Sequence, residues 1–282
     1  MTAPAPPGAL LCLLATGRSG STLLQRLLNL HDSVVMFGEH NGLAGTLLGL
    51  WHQLFGPWAG ERIARAARFV PEMLASRPIA APEGWSIEWA NACTEATALP
   101  AFRRFLEDLL FPPALRRPGM RYWGFKEIRY GPAEAAFLAR LFPEGRFLVL
   151  LRDPVAIQRS RAATGAWYPG LDAAQAAAAM HREFQALCDA WEVLRALPGG
   201  RARLVSCEAL TEAPRRVLEG IAAWAGLPPF DPERVAAVMG APHRPGGGDP
   251  HRVAAFLDAY RAGPAEADRA RWRAALAEAA GG

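Results

Sequence analysis

The sequence predicts an α/β protein in which helices cover both faces of a central parallel sheet. Short apolar runs alternate with stretches of helical periodicity along most of the chain, which is typical of parallel strands joined by crossover helices. Of the 282 residues, 51% are hydrophobic and 21% are charged, so a sizeable core is available. A glycine-rich turn also joins the first apolar run to the first helical stretch. Together these three observations define the predicted class.

The predicted elements alternate in order along the chain. Ala9–Ala15 is an uninterrupted apolar run that ends shortly before Gly17 and Gly20, which predicts a buried strand. Ser21–Leu30 then carries leucines at helical spacing. The further predicted strands are Ser33–Phe37, Tyr122–Ile128, Arg146–Leu151 and Arg203–Cys207. The further predicted helices are Pro132–Phe142, Pro154–Ala163, Ala173–Leu197 and Glu212–Ala225.

Residues 43–118 interrupt this alternation. Their pattern is mostly helical, and the stretch is rich in aromatic side chains, among them Trp51, Trp58, Trp85 and Trp89. Most of these are expected to pack in a core, and some are expected to line an acceptor pocket. The stretch is therefore predicted to be a mainly helical insertion in a single domain that spans residues 1–282.

Composition and charge exclude several classes of protein. The net charge of +4 is far from the Lys/Arg-dense face of a nucleic-acid binder. The four cysteines are widely spaced, which fits a reducing compartment and neither a zinc site nor a disulfide scaffold. The run at 9–15 is too short to span a membrane, and the N-terminus lacks the basic segment of a signal peptide. We expect a cytoplasmic protein with no nucleic-acid partner and no stable membrane insertion.

The turn Ala15–Thr22 has the arrangement of a phosphate-binding loop, in which backbone N–H groups and a helix N-terminus surround an anion. Gly20 and Thr22 match the phosphate-loop pattern, whereas Ser21 stands where the pattern has lysine. The only lysine in the chain is Lys126, so the loop lacks the group that contacts the β- and γ-phosphates of a nucleoside triphosphate. The sequence predicts a site for a phosphate-like group without γ-phosphate machinery.

A second basic position also points to a nucleotide. Arg152 follows the predicted strand Arg146–Leu151, and Asp153 and Pro154 start a helix by their N-cap and N1 preferences. Arg152 is therefore predicted at the carboxyl edge of the sheet, where open α/β folds bind ligands. Ser160 lies on the same predicted helix, eight residues further along.

These motifs resemble those of sulfotransferases that use 3′-phosphoadenosine 5′-phosphosulfate (PAPS). Thr16–Leu24 resembles their 5′-phosphosulfate loop, and Arg152–Ser160 resembles their 3′-phosphate motif. Glu39 and Lys126 look like the catalytic Glu and Lys of the tyrosylprotein and related bacterial sulfotransferases. Ser206–Leu210 resembles a strand-end motif of the family in which tyrosine usually stands at the second position, where this chain has cysteine.

The resemblance implies a P-loop-type three-layer αβα fold, PAPS as co-substrate, 3′-phosphoadenosine 5′-phosphate (PAP) as product, and no metal. The cofactor-binding residues it implies are Gly17, Arg18, Ser19, Gly20, Ser21, Thr22, Arg152 and Ser160. The loop amides and the Thr22 hydroxyl would hold the 5′-phosphate, and Arg152 with Ser160 would select the 3′-phosphate. Arg18 would neutralise the transferring group, and Lys126 would stabilise the bridging oxygen.

Glu39 is the expected general base because it follows the second predicted strand and so lies at the same edge as the loop. A solvated carboxylate or a partner of Arg18 is the structural alternative for it. His40 is the rival base, since its ordinary pKa suits the task. For Lys126 the alternative is an exposed lysine paired with Glu127 or Asp153. Arg129 is either a further anion contact or a surface residue.

Three function classes stay open on the residues alone: a sulfotransferase, a degenerate phosphate-loop kinase, and a non-catalytic nucleotide-binding protein. The missing loop lysine counts against the kinase, and the presence of both Glu39 and Lys126 counts against the non-catalytic protein. The acceptor is expected to be a hydroxyl of a sugar, phenol, lipid or peptide. Pro242–Arg252 is predicted to be a solvated loop, although Arg244, His251 and Arg252 could close over the nucleotide. Two short C-terminal helices are predicted after it.

Overall fold

The structure is a computed structural model, and it describes residues 8–57, 60–64, 70, 75, 93–164, 170–240, 250–263 and 266–281. The chain divides into two compact units. One comprises residues 1–42 and 117–282, and the other comprises residues 43–116. Within the described ranges, no helix is long and apolar enough to cross a membrane.

The first unit is built on a sheet of parallel strands. Its strands are β1 (Ala9–Ala15), β2 (Val34–Phe37), β3 (Tyr122–Glu127), β4 (Arg146–Leu151) and β5 (Ala202–Ser206). They are arranged in the order β2-β3-β1-β4-β5. The central strand β1 pairs with β3, with Ala9 beside Tyr122, and with β4, with Leu11 beside Arg146. The carboxyl ends of all five strands therefore meet at one edge, and the predicted parallel sheet is confirmed.

Helices precede, join and follow these strands. In chain order they are α1 (Ser21–Leu28), α2 (Leu43–Phe55), α3 (Glu95–Leu110), α4 (Pro132–Leu141), α5 (Pro154–Thr164), α6 (Ala173–Arg195), α7 (Cys207–Glu212), α8 (Pro214–Ala225), α9 (Pro232–Gly240), α10 (Pro250–Ala262) and α11 (Glu266–Gly281). Both α2 and α3 belong to the second unit. The others belong to the first unit.

Apolar side chains fill both faces of the sheet. On one face, leucines of β1 and β4 form a core with α1 and α8, which includes Leu11, Leu13, Leu148, Leu150, Leu24, Leu27, Leu218 and Ile221. On the other face, α4 and α6 pack together, and the ring of Trp123 meets that of Phe142 at 5.9 Å between centroids. Burial of these side chains is the main stabilising contribution to such a fold. The three-layer αβα prediction is confirmed for this unit.

The predicted helix over Glu212–Ala225 is wrong at its start. A separate helix, α7, ends at Glu212, and α8 begins only at Pro214. Between them Ala213 has φ −136° and ψ 61°, because a residue that precedes proline is held out of the helical conformation. The side chain of Ser206 accepts a hydrogen bond from the N–H of Ala209 and so starts α7 directly at the end of β5.

The predicted loop over Pro242–Arg252 is wrong at its end. Helix α10 begins at Pro250, where proline suits the first helical position, so His251 and Arg252 lie in its first turn. Arg244 lies outside the described residues. The two C-terminal helices, α10 and α11, have 13 and 16 residues and are longer than predicted.

In the second unit, helices α2 and α3 share an aromatic contact. Trp51 of α2 is buried, and its ring lies 4.4 Å from that of Phe55 and 5.9 Å from that of Phe102 on α3. Thr94 caps the start of α3. Core packing is thus the role of Trp51, whereas Trp58, Trp85 and Trp89 lie outside the described residues. The assignment of residues 1–282 to one domain with this insertion stays a prediction.

Candidate functional site

A cleft with a volume of about 350 Å³ opens at the carboxyl edge of the sheet in the first unit. The residues that end or follow β1, β2, β3 and β4 form most of its walls. Four cationic side chains and one carboxylate line it: Arg18, Arg26, Lys126, Arg152 and Glu39. This excess of positive charge attracts an anion. The cleft is therefore the candidate functional site.

The loop between β1 and α1 has the backbone of an anion-binding turn. Arg18 and Gly20 have left-handed conformations, with φ of 68° and 91°. Left-handed residues at such spacing curl successive N–H groups into a concavity. Ser19 is buried and closes the turn, since its N–H and its hydroxyl both donate to the carbonyl of Thr16. Within the described residues, no side chain caps the start of α1, so its first N–H groups are left for an anion.

Two arginines hold the carbonyl groups of this loop. Arg161, on α5, is 2% exposed and donates from Nε and Nη2 to the carbonyl oxygen of Gly17 at 3.2 and 3.1 Å. Glu183 on α6 balances its charge at 2.6 Å. Arg152 donates from Nη1 to the carbonyl oxygen of Arg18 at 2.9 Å. Two consecutive carbonyl groups are thereby occupied, and the loop offers its N–H groups to a ligand.

The start of α5 places Arg152. Asp153 accepts a hydrogen bond from the backbone N–H three residues further on, which is the predicted N-cap contact. Its own N–H donates to Glu208 of α7 at 2.9 Å. Further along α5, the hydroxyl of Ser160 accepts a hydrogen bond from Nε of Arg18 at 3.1 Å. The structure thus brings Arg18, Arg152 and Ser160 together on the β4 side of the cleft.

Cys207 packs against the loop. Its sulfur lies 2.6 Å from the position that a Cβ would take at Gly20, so a side chain there would collide with it. Burial raises the pKa of the Cys207 thiol to about 11. This side chain is therefore an uncharged packing group at neutral pH.

On the β3 side of the cleft, a carboxylate lies between two cations. Lys126 is 7% exposed, and its Nζ donates to Oε1 of Glu39 at 2.6 Å. Arg129 donates from Nη1 to Oε2 of Glu39 at 3.0 Å. Burial raises the pKa of Glu39, but the hydrogen bonds and charges of Lys126 and Arg129 outweigh it, so the pKa lies below its usual value. Lys126 is buried against Glu39 rather than exposed beside Glu127 or Asp153.

The register of β2 and β3 explains this placement. Phe37 lies beside Phe125, so the residues after β2 run alongside Lys126. The ring of His40 packs edge-on against Phe125 at 5.1 Å between centroids, and burial lowers its pKa. Among the described residues that line the cleft, Glu39 is present and His40 is not. The structure brings Glu39, rather than His40, to the lysine.

Three charged residues of the site escape prediction from the sequence: Arg26, Arg161 and Glu127. Arg26 follows Thr22 by four residues, a spacing that places both on one face of α1, so a signal for it exists. Arg161 and Glu127 are buried. From sequence alone, a charged residue is predicted to be exposed to solvent, because burial of an ionised group is rare.

Fold and site together define an αβα protein whose phosphate-type loop lacks the lysine of nucleoside triphosphate enzymes. The profile of the sulfotransferase family matches residues 11–232. This chain therefore belongs to the sulfotransferase family. The family resemblance found in the loop and strand-end motifs is confirmed.

Solved structures share the fold. The sulfotransferase domain from the curacin biosynthetic pathway is 20% identical, with a TM-score of 0.54, over 97% of this chain and 98% of that chain. The sulfotransferase domain from the Synechococcus PCC 7002 olefin synthase is 21% identical, with a TM-score of 0.51, over 97% and 96%. A sulfotransferase from Alicyclobacillus acidocaldarius is 13% identical, with a TM-score of 0.50, over 96% of each chain. No curated protein sequence matches this chain significantly.

Proposed function

We propose that this protein moves a sulfonyl group from PAPS to a hydroxyl group of an acceptor. The observation that carries the proposal is the contact of Glu39 with Lys126, 2.6 Å apart, in the same cleft as an anion-binding loop. A carboxylate and an ammonium group placed together supply a base for the attacking hydroxyl and a cation for the leaving oxygen. Membership of the sulfotransferase family supports the same chemistry.

The β4 side of the cleft would bind the two phosphates of the donor. The amides of Gly17–Thr22, with the Thr22 hydroxyl, hold the 5′-phosphate at the N-terminus of α1. Arg152 and Ser160 hold the 3′-phosphate. Arg18 neutralises the transferring group from a loop position in which its guanidinium also contacts Ser160. The excess of cations over carboxylates in the cleft supports the binding of so highly charged a nucleotide.

The β3 side would carry out the transfer. Glu39 accepts the proton of the acceptor hydroxyl while the hydroxyl oxygen forms its bond to sulfur. The bond between sulfur and the bridging oxygen of the donor breaks, and Lys126 stabilises the charge that develops on that oxygen. The products are the sulfated acceptor, PAP and a protonated Glu39, which returns its proton to water. As in phosphoryl transfer, positioning and electrostatics supply most of the catalysis.

Glu39 needs a second partner during transfer. When Lys126 contacts the bridging oxygen of the donor, its hydrogen bond to the Glu39 carboxylate weakens. Arg129, 3.0 Å from Oε2 of Glu39, is that partner. It keeps the carboxylate in place when Lys126 turns to the donor. The lowered pKa of Glu39 keeps the base deprotonated at neutral pH.

The proposal includes no metal ion, because the loop amides and the four cations supply the positive charge that Mg²⁺ supplies in nucleoside triphosphate enzymes. The acceptor is a hydroxyl of a sugar, a phenol, a lipid or a peptide side chain. We place the reaction in the cytoplasm and propose no nucleic-acid partner.

Calorimetric titration in EDTA tests the donor. The wild type should bind PAP more tightly than adenosine 5′-phosphate, which lacks the 3′-phosphate. Arg152→Ala should weaken PAP binding by about 30- to 1,000-fold, which corresponds to about 2–4 kcal/mol for one partner of a charge-assisted contact. Arg215→Ala removes an exposed arginine of α8 and serves as the matched control, with unchanged affinity.

Three outcomes would contradict the proposal. Equal affinity for the two nucleotides would remove the 3′-phosphate assignment. Binding of ATP that requires Mg²⁺ would favour a degenerate phosphate-loop kinase. Tight PAP binding without transfer of labelled sulfonyl to any of a panel of sugars, phenols, lipids and peptides would favour a non-catalytic nucleotide-binding protein.

A further inference from the structure

A fully buried carboxylate ends β3. Glu127 is 0% exposed, and its side chain accepts four hydrogen bonds. Oε2 accepts from the backbone N–H groups of His40 at 3.2 Å and Gly42 at 3.0 Å. Oε1 accepts from the N–H of Ile128 and from Nη1 of Arg129, each at 2.9 Å. A buried carboxylate is retained only where such bonds replace its hydration.

Two of these bonds hold the segment that carries Glu39. The ladder between β2 and β3 ends at Phe37, so the backbone beyond it has lost its strand partner. Asn41 and Gly42 then turn with left-handed φ of 53° and 77°. In place of strand hydrogen bonds, the N–H groups of His40 and Gly42 donate to the carboxylate of Glu127. Glu127 therefore fixes the backbone of this segment at two points, His40 and Gly42.

A third hydrogen bond of Glu127 positions Arg129, which in turn contacts Glu39. The same Nη1 atom of Arg129 donates to Oε2 of Glu39 at 3.0 Å and to Oε1 of Glu127 at 2.9 Å. Arg129 is 46% exposed, and an exposed guanidinium is poorly ordered unless it is anchored. Glu127 supplies that anchor from a buried position.

We propose that Glu127 is a positioning residue for sulfonyl transfer, which fixes both the segment 38–42 and Arg129 so that the Glu39 carboxylate is held at Lys126. The inference rests on the proposed role of Glu39 as the base. Successive side chains of a strand point to opposite faces, so Glu127 turns away from the cleft that its neighbour Lys126 lines. Glu127 acts through Glu39 and touches no reacting atom.

A cycle of four proteins tests this: the wild type, E127Q, E39Q and the double variant. The rate is measured as sulfate released from PAPS, with water in place of the acceptor, and PAP affinity is measured by calorimetry. Glutamine keeps the size of the side chain but turns an N–H donor towards backbone donors. A misplaced base costs about 10²-fold, so E127Q should lower the rate by about 10- to 100-fold. In the E39Q background the same change should alter the rate by less than about twofold.

Amide hydrogen exchange gives a second measurement that needs no turnover. In E127Q, exchange should rise in residues 38–42 and stay unchanged in residues 17–22. Glu134→Gln is the matched control, because Glu134 also accepts a bond from a backbone N–H, that of Gly131, at the start of α4. If E127Q does not fold, Glu127→Asp retains the charge, shortens the reach by one methylene and replaces it in the cycle.

Three results would overturn the role of Glu127 and leave the proposed function in place. The first is an equal loss of rate from E127Q in both backgrounds, which indicates a purely structural role. The second is unchanged exchange in residues 38–42. The third is a slow E39Q beside a fully active E127Q. If E39Q releases sulfate as fast as the wild type, the base assignment fails, and the role of Glu127 fails with it.

Discussion

The two sides of the cleft are anchored by buried charges of opposite sign. On the β4 side, the buried cation Arg161 holds a carbonyl group of the phosphate-type loop. On the β3 side, the buried anion Glu127 holds N–H groups of the segment that carries Glu39. On the β4 side, the backbone N–H groups of the loop would bind the ligand directly. On the β3 side, the backbone positions a reactive side chain, Glu39. Damage to the first side should therefore change donor affinity, and damage to the second should change turnover.

The largest expected effect separates Glu39 from His40. Glu39→Gln keeps the shape of the side chain and removes the base, so kcat should fall by about 10²- to 10⁴-fold. PAP affinity should hold or rise slightly, because a negative charge beside an anionic ligand is lost. His40→Gln should cost much less, since the His40 ring packs against Phe125. Initial rates with labelled PAPS and calorimetric titration with PAP give both quantities.

The opposite effects of the two variants would identify His40, and not Glu39, as the base. An inactive His40→Gln beside an active Glu39→Gln would assign proton transfer to His40. A loss of PAP affinity in Glu39→Gln as large as the loss of kcat would show that the two sides of the cleft are not separable. Circular dichroism of each variant verifies that it is folded.

A smaller effect is expected on the other side of the cleft. Arg161→Met removes the hydrogen bonds to the carbonyl group of Gly17. The loop is then less ordered in the free protein, and it must become ordered when the donor binds. Such ordering costs about 1.4 kcal/mol, or about tenfold in the Kd of PAP, while kcat at saturating donor stays within about twofold. The loss of the pair with the half-buried Glu183 also lowers stability, by about 1.5–3 kcal/mol, which thermal unfolding measures.

Glu183→Gln is the control for Arg161. It removes the charge partner but leaves the bonds from Arg161 to the Gly17 carbonyl, so it should lower stability with little change in PAP affinity. A fall of kcat in Arg161→Met at saturating donor would show that the order of the loop also controls Arg18, the proposed partner of the transferring group.

The smallest expected effect is a shift in pH dependence. In the wild type, the acid limb of kcat/KM should lie below the ordinary pKa of glutamate, because the pKa of Glu39 is lowered. Arg129→Gln removes one of the two cations that lower this pKa, so the pKa rises. Since the base acts when deprotonated, the acid limb should move to higher pH. Arg215→Gln is the control, and an acid limb that stays in place in Arg129→Gln would show that Arg129 does not hold Glu39.

The same carboxylate links stability to pH. A glutamate whose pKa is lowered by folding stabilises the folded state at pH above its unfolded pKa, and this contribution is lost as the pH falls through the folded pKa.

The sheet was the most predictable part of the molecule. Strands β1 and β4 have the predicted bounds, because a strand buried on both faces is an unbroken apolar run. Helices α4 and α5 begin at the predicted prolines, since proline suits the first helical position. The separate helix α7 was missed because its six residues show no period and its start depends on a cap by Ser206.

The site was predictable only where it follows from local sequence. The loop, Arg152 and Ser160 each belong to a local motif, and the structure brings them into one cleft. Their roles stay predictions. Arg161 and Glu127 were not predictable, because each acts on a backbone atom more than eighty residues away in the sequence. Only the assembled sheet and helices bring those atoms together.

The position of β1 determines how the chain can fold during synthesis. Both of its partners come more than a hundred residues later in the sequence, with Ala9 beside Tyr122 and Leu11 beside Arg146. At about 5–20 residues per second, the ribosome needs from roughly six to roughly twenty-seven seconds to supply them. Throughout that time an apolar seven-residue segment has no strand to pair with. Such high contact order slows folding and leaves the unpaired segment open to aggregation until β3 and β4 have been made.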